Sequence, residues 1–320
     1  RCIPESKVES TLRYLSFDFS LSEENVNTYT LTKAAAEHLI QEEAGNIPVA
    51  IFRPSIVIST NEEPVPGWIG NLYGPTGILR GIMSGIIRTI HVNPSLRADL
   101  VPADWTVNAM ICSAWHSANC YQSSSFTQLP IYNYVSSTDN PITWIEFNDK
   151  LLGVNSLPFS KTLWKRLYIT TKSKLMHTIR CFFLHYLFGY IIDLCAPFIG
   201  MKVRLVPIYR KFDKVSTVLA PFTLNEWTFS NTNVTSLWAR LSPADQARFP
   251  FNMHDLNWDD YLASYQKGIL VYHLKDKLDP DTRKQALQRY KRLCVTHQCI
   301  KTVLYFSLVC FILWIITRAV

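Results

Sequence analysis

The sequence predicts an α/β fold: a doubly wound parallel sheet, incomplete on its N-terminal side, then a mainly helical region and a C-terminal transmembrane helix. Three observations carry that prediction. A helix, a tight turn and a short apolar strand follow one another between Asn27 and Pro54; helical patterns dominate from about Leu151 to Lys275; and residues 302–317 hold no charged side chain. At 320 residues, 48% of them apolar, the chain can bury a sizeable core as one large domain or two moderate ones.

The first helix is expected over Asn27–Glu43, with Asn25 or Asn27 as its cap and Gly45 as its stop. Pro48-Val49-Ala50-Ile51-Phe52-Arg53-Pro54 then reads as a buried parallel strand closed by proline. Tyr29 and Lys33 stand four apart, so phenol and ammonium project from one helical face. A positive charge within a few ångström favours a phenolate, and such a tyrosine can hand a proton to a carbonyl oxygen while hydride arrives at the carbon. Ligands of doubly wound sheets sit beyond the carboxyl ends of the strands, which places Arg53 to Val57 beside a nucleotide.

Further along, Asp104 opens a helix carrying Trp105, Ala109, Cys112 and Trp115. Ile131–Val135 reads as a strand, Ser136–Pro141 as a turn, and Thr143-Trp144 as the start of the next helix. In the helical region Leu237, Leu241, Trp258 and Tyr261 are expected in the core. The apolar stretch Cys181–Ile192 is interrupted by His185 and flanked by Arg180 and Asp193, which a spanning helix would bury at a cost. It reads as a helix lying against a bilayer, lining an acyl-chain groove, or packed in the core. No chemistry is assigned to His185.

The tail is clearer. Thr302–Thr317 with its flanks makes about 18 residues, at the short end of what crosses ~30 Å of hydrocarbon. Lys301 and Arg318 bracket it, and Tyr305 and Trp314 fall where interfacial aromatics sit. More Lys and Arg precede the segment than follow it, including Arg283-Lys284 and Arg289-Tyr290-Lys291-Arg292. The positive-inside rule therefore keeps the preceding part cytosolic, on a single-pass anchor. A basic run beside such a tail faces anionic lipid rather than nucleic acid, and the net charge of +7 is moderate.

These residues carry a resemblance. Tyr29-x-x-x-Lys33 is similar to the pair of the short-chain dehydrogenase/reductase superfamily. Asn27–Ala34, Phe52–Val57, Pro66–Asn71, Gly74–Gly77 and Asp99–Asn108 resemble the fatty acyl-CoA reductases, extended members of that superfamily. Phe249–Asn252, Asn257–Tyr261 and Tyr265–Gly268 resemble that family's C-terminal male-sterility domain. The match runs from about Val26 to His273, and several motifs in order are far more specific than one.

The resemblance implies residues 1–148 as the C-terminal part of a Rossmann-like NAD(P)-binding domain and 151–275 as the male-sterility domain. A basic helical linker (276–301) and a transmembrane helix (302–317) follow. It implies reduction of a long-chain fatty acyl-CoA to a primary alcohol in two hydride steps, through a bound aldehyde, with NADPH. Tyr29 would protonate the oxygen; Lys33 would assist it and bind the nicotinamide ribose; Pro54, Ser55 and Val57 would pack near the nicotinamide. Wax, ether-lipid or surface-hydrocarbon synthesis, at the endoplasmic reticulum or peroxisome, would use the alcohol.

A glycine-rich pyrophosphate loop of that superfamily is expected before the tyrosine helix, yet Gly45 is the first glycine. The chain reads as N-terminally truncated and is expected to be inactive alone. Ser16 and Ser20 stand near the spacing of a catalytic serine, but their segment looks like the end of an insertion, so the true serine is expected upstream. Eight cysteines without C-x-x-C pairs, and no His-Glu-x-x-His, argue against zinc or another metal. Cys112, Cys181, Cys195 and Cys310 lie in apolar stretches and are expected to be small buried hydrophobes. Two rivals stay open: another membrane-bound extended reductase, for example acting on a sterol, and an inactive membrane protein derived from a reductase. Chain-length preference and oligomeric state are not legible.

Overall fold

The computed structural model describes residues 28–122, 129–153, 156–200 and 204–319. The chain runs through α1 (Thr28–Glu43), β1 (Ile51–Pro54), β2 (Ile56–Val57), α2 (Pro75–Met83), β3 (Thr89–His91), β4 (Leu100–Val101) and α3 (Ala103–Gln122). It continues through β5 (Ile131–Tyr134), α4 (Trp144–Leu152), β6 (Ile169–Thr171), α5 (Lys174–Cys181), a π-helical turn (Phe182–Tyr186) and α6 (Leu187–Cys195). Then come α7 (Leu205–Leu224), α8 (Thr232–Arg240), α9 (Pro243–Arg248), α10 (Trp258–Gly268) and α11 (Pro280–Ala319). Asn25, Asn27, Ser16 and Ser20 lie outside the described residues.

The three strand pairs among the described residues are all parallel. β1 pairs with β5 in the register Ile51 to Ile131, β2 with β4 in the register Ile56 to Leu100, and β3 with β6 in the register Thr89 to Ile169. Parallel pairing requires crossover connections, here supplied by helices and long loops, and this is the pairing an α/β fold needs. The strand near residue 50 is shorter than expected: Pro48–Ala50 stay outside the ladder.

The chain packs as two compact units, each built from separated stretches of sequence. The first takes residues up to Pro54, Val107–Tyr134 and Ser230–Phe251. Its core holds Ala35 and Leu39 of α1, Ile51 of β1, Ala109 and Cys112 of α3, and Tyr132 and Tyr134 of β5. The late stretch is tied to β5 directly. Asn233 Nδ2 donates to the Ile131 carbonyl at 2.7 Å, Asn133 Nδ2 to Ser230 at 2.9 Å, and the Tyr134 hydroxyl to Phe251 at 2.9 Å. Trp238 meets the Phe251 ring edge-on at 4.8 Å, and Leu237 is fully buried as expected.

The second unit takes Ser55–Thr106, Val135–Phe229 and the residues from Asn252 on. Thr143 caps α4 in a reciprocal box with Glu146. Asn257 caps α10, whose Tyr261 hydroxyl donates to the Ser59 carbonyl at 2.7 Å. The Tyr265 hydroxyl lies 2.7 Å from Thr76 Oγ1. Backbone meets backbone where Gly67 faces the end of α10: a Cβ on Gly268 would stand 1.7 Å from the Gly67 carbonyl oxygen. The two glycine-containing motifs, Pro66–Asn71 and Tyr265–Gly268, are two sides of one close approach.

Some expectations need correction. Cys112 and Cys181 are buried, but Cys195 and Cys310 are exposed, because their apolar neighbours lie on outward helix faces rather than in a core. The basic helical stretch and the apolar tail run on as one helix, α11. A short strand, β6, sits inside the mainly helical stretch.

Candidate active site

α1 is a helix because Leu31 and Ala34–Ala36 favour it, and Ala35 and Leu39, four apart, bury its inner face. Gly45, at φ +54°, ends it in the left-handed conformation that glycine tolerates best. Tyr29 and Lys33 stand on its outer side. Tyr29 is 65% exposed, and the Lys33 ammonium lies 5.9 Å from the centre of its ring. The pair therefore sits together, open to a ligand.

One turn further along the helix, Glu37 takes up Arg53 at the end of β1. Arg53 Nε donates to the two Glu37 oxygens at 2.9 and 3.1 Å, and Nη2 adds a third bond. The Glu37 hydrogen bond holds the guanidinium above its ordinary pKa. Tyr29, Lys33 and Glu37 recur every four residues, so one helical side carries a phenol, a cation and the anchor to the strand. Glu37 was not singled out from sequence; the signal was the continued four-residue spacing opposite an arginine at a strand end. Pro54 closes β1 and is exposed.

In the second unit, Ser55 is half-buried, and its Oγ is buried with no hydrogen-bond partner among the described residues. Val57 is 42% exposed. The loop that follows β2 is held by a carboxylate. Asp104 accepts the backbone N–H groups of Asn61 and Glu62 at 2.8 Å each and of Glu63 at 3.0 Å. Thr60 Oγ1 closes the same loop by donating to the Val65 carbonyl at 2.6 Å. Asp99 does the matching work on the other side of β4, taking Ser136 N–H at 2.7 Å and the Ser137 hydroxyl at 2.6 Å. Sequence reading placed Asp104 only as a helix opener. Two aspartates five apart, straddling an apolar pair, were the missed sign of two pinned loops at strand ends.

Burial pushes the Cys112 thiol of α3 up to about 11, so it stays protonated at neutral pH. Among the described residues no group of three His, Cys, Asp or Glu side chains gathers as metal ligands would.

Two family models, both described as male sterility protein, match residues 4–110 and 184–276; the first is an NAD-binding family. The chain is 39% identical over 280 residues to fatty acyl-CoA reductase wat of Drosophila melanogaster, covering 87% of this chain and 53% of that protein. It is 34% identical over 284 residues to fatty acyl-CoA reductase 2 of Mus musculus, with 87% and 53% covered. The chain belongs to the fatty acyl-CoA reductase family. It spans about half the length of the curated relatives it matches, as with fatty acyl-CoA reductase 1 of Gallus gallus, 31% identical over 81% of this chain and 50% of that protein. Within the family frame the first matched stretch holds α1, β1 to β4 and both loop-pinning aspartates. The second holds α8 and α10 and ends at Asp276. Membership indicates an α/β nucleotide-binding fold and a nicotinamide cofactor.

Proposed function

We propose that this protein reduces a long-chain fatty acyl-CoA to a primary alcohol, with NADPH as hydride source and an aldehyde that stays bound between two reductions. The observation that carries the reading is the open Tyr29–Lys33 pair on α1, in a chain of this family. When bound, the nicotinamide supplies hydride to the carbonyl carbon. Tyr29 would give its phenolic proton to the oxygen as charge develops there. After the first hydride the hemithioacetal expels coenzyme A as the thiol, leaving the aldehyde, and the second hydride and proton make the alcohol. The Lys33 ammonium would steady the negative charge left on the phenol and would hold the ribose hydroxyls. Glu37 and Arg53 fix the helix that presents both. Pro54, Ser55 and Val57 keep the role the resemblance gives them, near the nicotinamide. The buried Ser55 hydroxyl supports it, because it has hydrogen-bonding capacity left over.

The product fits a membrane-bound enzyme. α11 carries Val303–Phe306 and Val309–Ile316 exposed on every side, and its aromatic ends are paired with cations. Lys301 lies 5.8 Å from the Tyr305 ring and Arg318 4.7 Å from that of Trp314. From Lys301 to Arg318 an α-helix rises about 26 Å, close to the ~27 Å of a thin bilayer. We read α11 as a single-pass anchor in the endoplasmic reticulum or peroxisome, with the catalytic part in the cytosol. The alcohol would feed wax, ether-lipid or surface-hydrocarbon synthesis.

The test is product formation in vesicles, with NADPH or NADH, for this chain alone and for the chain joined to the N-terminal portion of a matched relative. Long-chain alcohol, formed with two hydrides consumed per molecule and little free aldehyde, is the expected result. No reduction in either form would overturn the reading, and accumulation of free aldehyde would overturn its second step.

A further inference from the structure

The helix from Lys174 to Phe198 wears its polarity inside out. Its inner face carries His177, Cys181, His185 and Gly189, all buried, packed against β3 and α7. His185 is fully buried; its Nε2 accepts the Arg88 backbone N–H at 2.9 Å, and its ring stacks on Tyr209 at 4.8 Å. His177 stacks on His91 at 5.2 Å. Gly189 lets the Tyr209 ring in, since a Cβ there would stand 2.9 Å from it. The outer face carries Leu175, Phe182, Phe183, Ile191, Leu194 and Phe198, with Leu175 and Leu194 each 72% exposed and Phe198 87%. A helix at a protein–water boundary does the reverse.

Charge says what covers that face. Between Lys172 and Leu224 the chain has eight Lys and Arg residues and two acidic ones. Both acids are engaged inside the hairpin. Asp193 accepts the Leu205 and Val206 N–H groups at the start of α7, and Asp213 accepts the Tyr186 hydroxyl. Lys172 and Lys174 are exposed at the start of this helix, and Arg204, Arg210, Lys211 and Lys214 are exposed at the start of and along α7, which packs on it. An apolar face on a hairpin with this excess of exposed basic side chains complements an anionic lipid surface. The polar inner seam, fastened to Arg88 and Tyr209, keeps this helix from being surrounded by lipid, so it lies in the interface rather than crossing it.

We propose that the outer face of α5, the π-helical turn and α6 is immersed in the membrane interface, a second membrane contact independent of α11. It sets the second unit at the depth where the chains of lipid-borne molecules begin.

The experiment uses the full chain, α11 included, in phosphatidylcholine vesicles with and without phosphatidylserine. A carbene reagent confined to the lipid phase is activated, and adducts are mapped on peptides. Adducts on residues 174–198 as well as on 302–317, increasing with phosphatidylserine, are expected. Adducts confined to 302–317, with 174–198 modified by a water-soluble carbene in the same vesicles, would overturn the proposal. Protection of 174–198 from both reagents, with inter-chain cross-links mapping to it, would also overturn it and assign the face to a second copy. In a variant with Leu175→Ser, Phe183→Ser and Leu194→Ser, labelling at 174–198 should fall to background while labelling at 302–317 stays unchanged. Unchanged labelling at 174–198 in that variant counts against the proposal.

Discussion

α1 and α10 both stand out as motifs in the sequence, and they are held in opposite ways. α10 is fastened at every turn: Asn257 caps it, Tyr261 and Tyr265 bond across to Ser59 and Thr76, and Gly268 lies against the Gly67 backbone. Gln266 also accepts the Leu157 N–H at 2.9 Å and donates to Leu151. α1 buries Ala35 and Leu39, is tied to β1 through Glu37 and Arg53, and leaves Tyr29 in the open. One motif is built into the packing; the other leaves open the side chains for which we propose chemistry. Identical prominence in a sequence therefore hides different physical reasons, and exposure separates them.

Mutations can break that contrast, beginning with the largest effect. Tyr29→Phe should lower alcohol formation by ~10²–10⁴-fold, the usual worth of a general acid, while the thermal midpoint stays put because the hydroxyl is solvent-facing. Lys33→Ala should add a raised KM for NADPH. Near-normal turnover in Tyr29→Phe would leave Tyr29 a surface residue and erase the contrast. In α10 the effects should fall on stability instead. Gly268→Ala forces a methyl into the Gly67 carbonyl and should cost about 3 kcal/mol, the upper end for overpacking, read from the denaturant midpoint. Tyr261→Phe should cost about 0.5–1.5 kcal/mol, the net worth of one hydrogen bond, because the Ser59 carbonyl keeps the Ala103 N–H at 3.0 Å.

Acid sharpens the comparison further. Burial pushes Asp276 up, but hydrogen bonds from Ser160 and Arg283 outweigh it and hold the carboxyl below its ordinary value of 3.8. A folded-state pKa below the unfolded one contributes stability that is complete above the unfolded value and disappears as pH falls through the folded value. The tie from Ser160 to the root of α11 should thus be intact at neutral pH and open only below about pH 4. Hydrogen exchange at residues 160–162 across pH 7 to 3 measures it, and Asp276→Asn should remove the acid step. The smallest effect belongs to Glu37→Gln. That pair is partly exposed, so its loss should change stability by about 0–1 kcal/mol, with a modest fall in turnover as α1 loosens. A drop as large as that of Gly268→Ala would show α1 to be as firmly built in as α10.

Much of this architecture was legible from local signals. α1, α4 and β5 announce themselves through helix formers, a Thr143–Glu146 box and an alternating aromatic run. β2 and β4 are two residues long and β3 and β6 three, too short for any period to show, and their pairing is set by partners 44 and 80 residues away. That Tyr29 and Lys33 sit together was readable because a four-residue spacing alone puts them on one helical face. Glu37 and Asp104 were not, since their partners, Arg53 and the Asn61–Glu63 amides, come together only on folding. Cys195 and Cys310 were misplaced because apolar neighbours signal a dry environment without saying whether protein or lipid supplies it.

The π-helical turn at Phe182–Tyr186 has a consequence for how this chain can change length. Residues spaced four apart on an α-helix drift by about 40° a step, so His177, Cys181, His185 and Gly189 would spiral away from their seam over three steps. A wider turn rotates the chain less per residue and cancels part of that drift, so all four stay on the inner face. The wide turn holds about one residue more than an ordinary turn, so losing one residue there would let it wind as an α-helix and leave everything after it on nearly the same face. Gly189 would still face Tyr209, drawn nearer by about 1.5 Å of rise. A single deletion elsewhere in α5 or α6 would instead swing the remainder by about 100°, so this turn is where the chain can shorten by one residue without turning its faces.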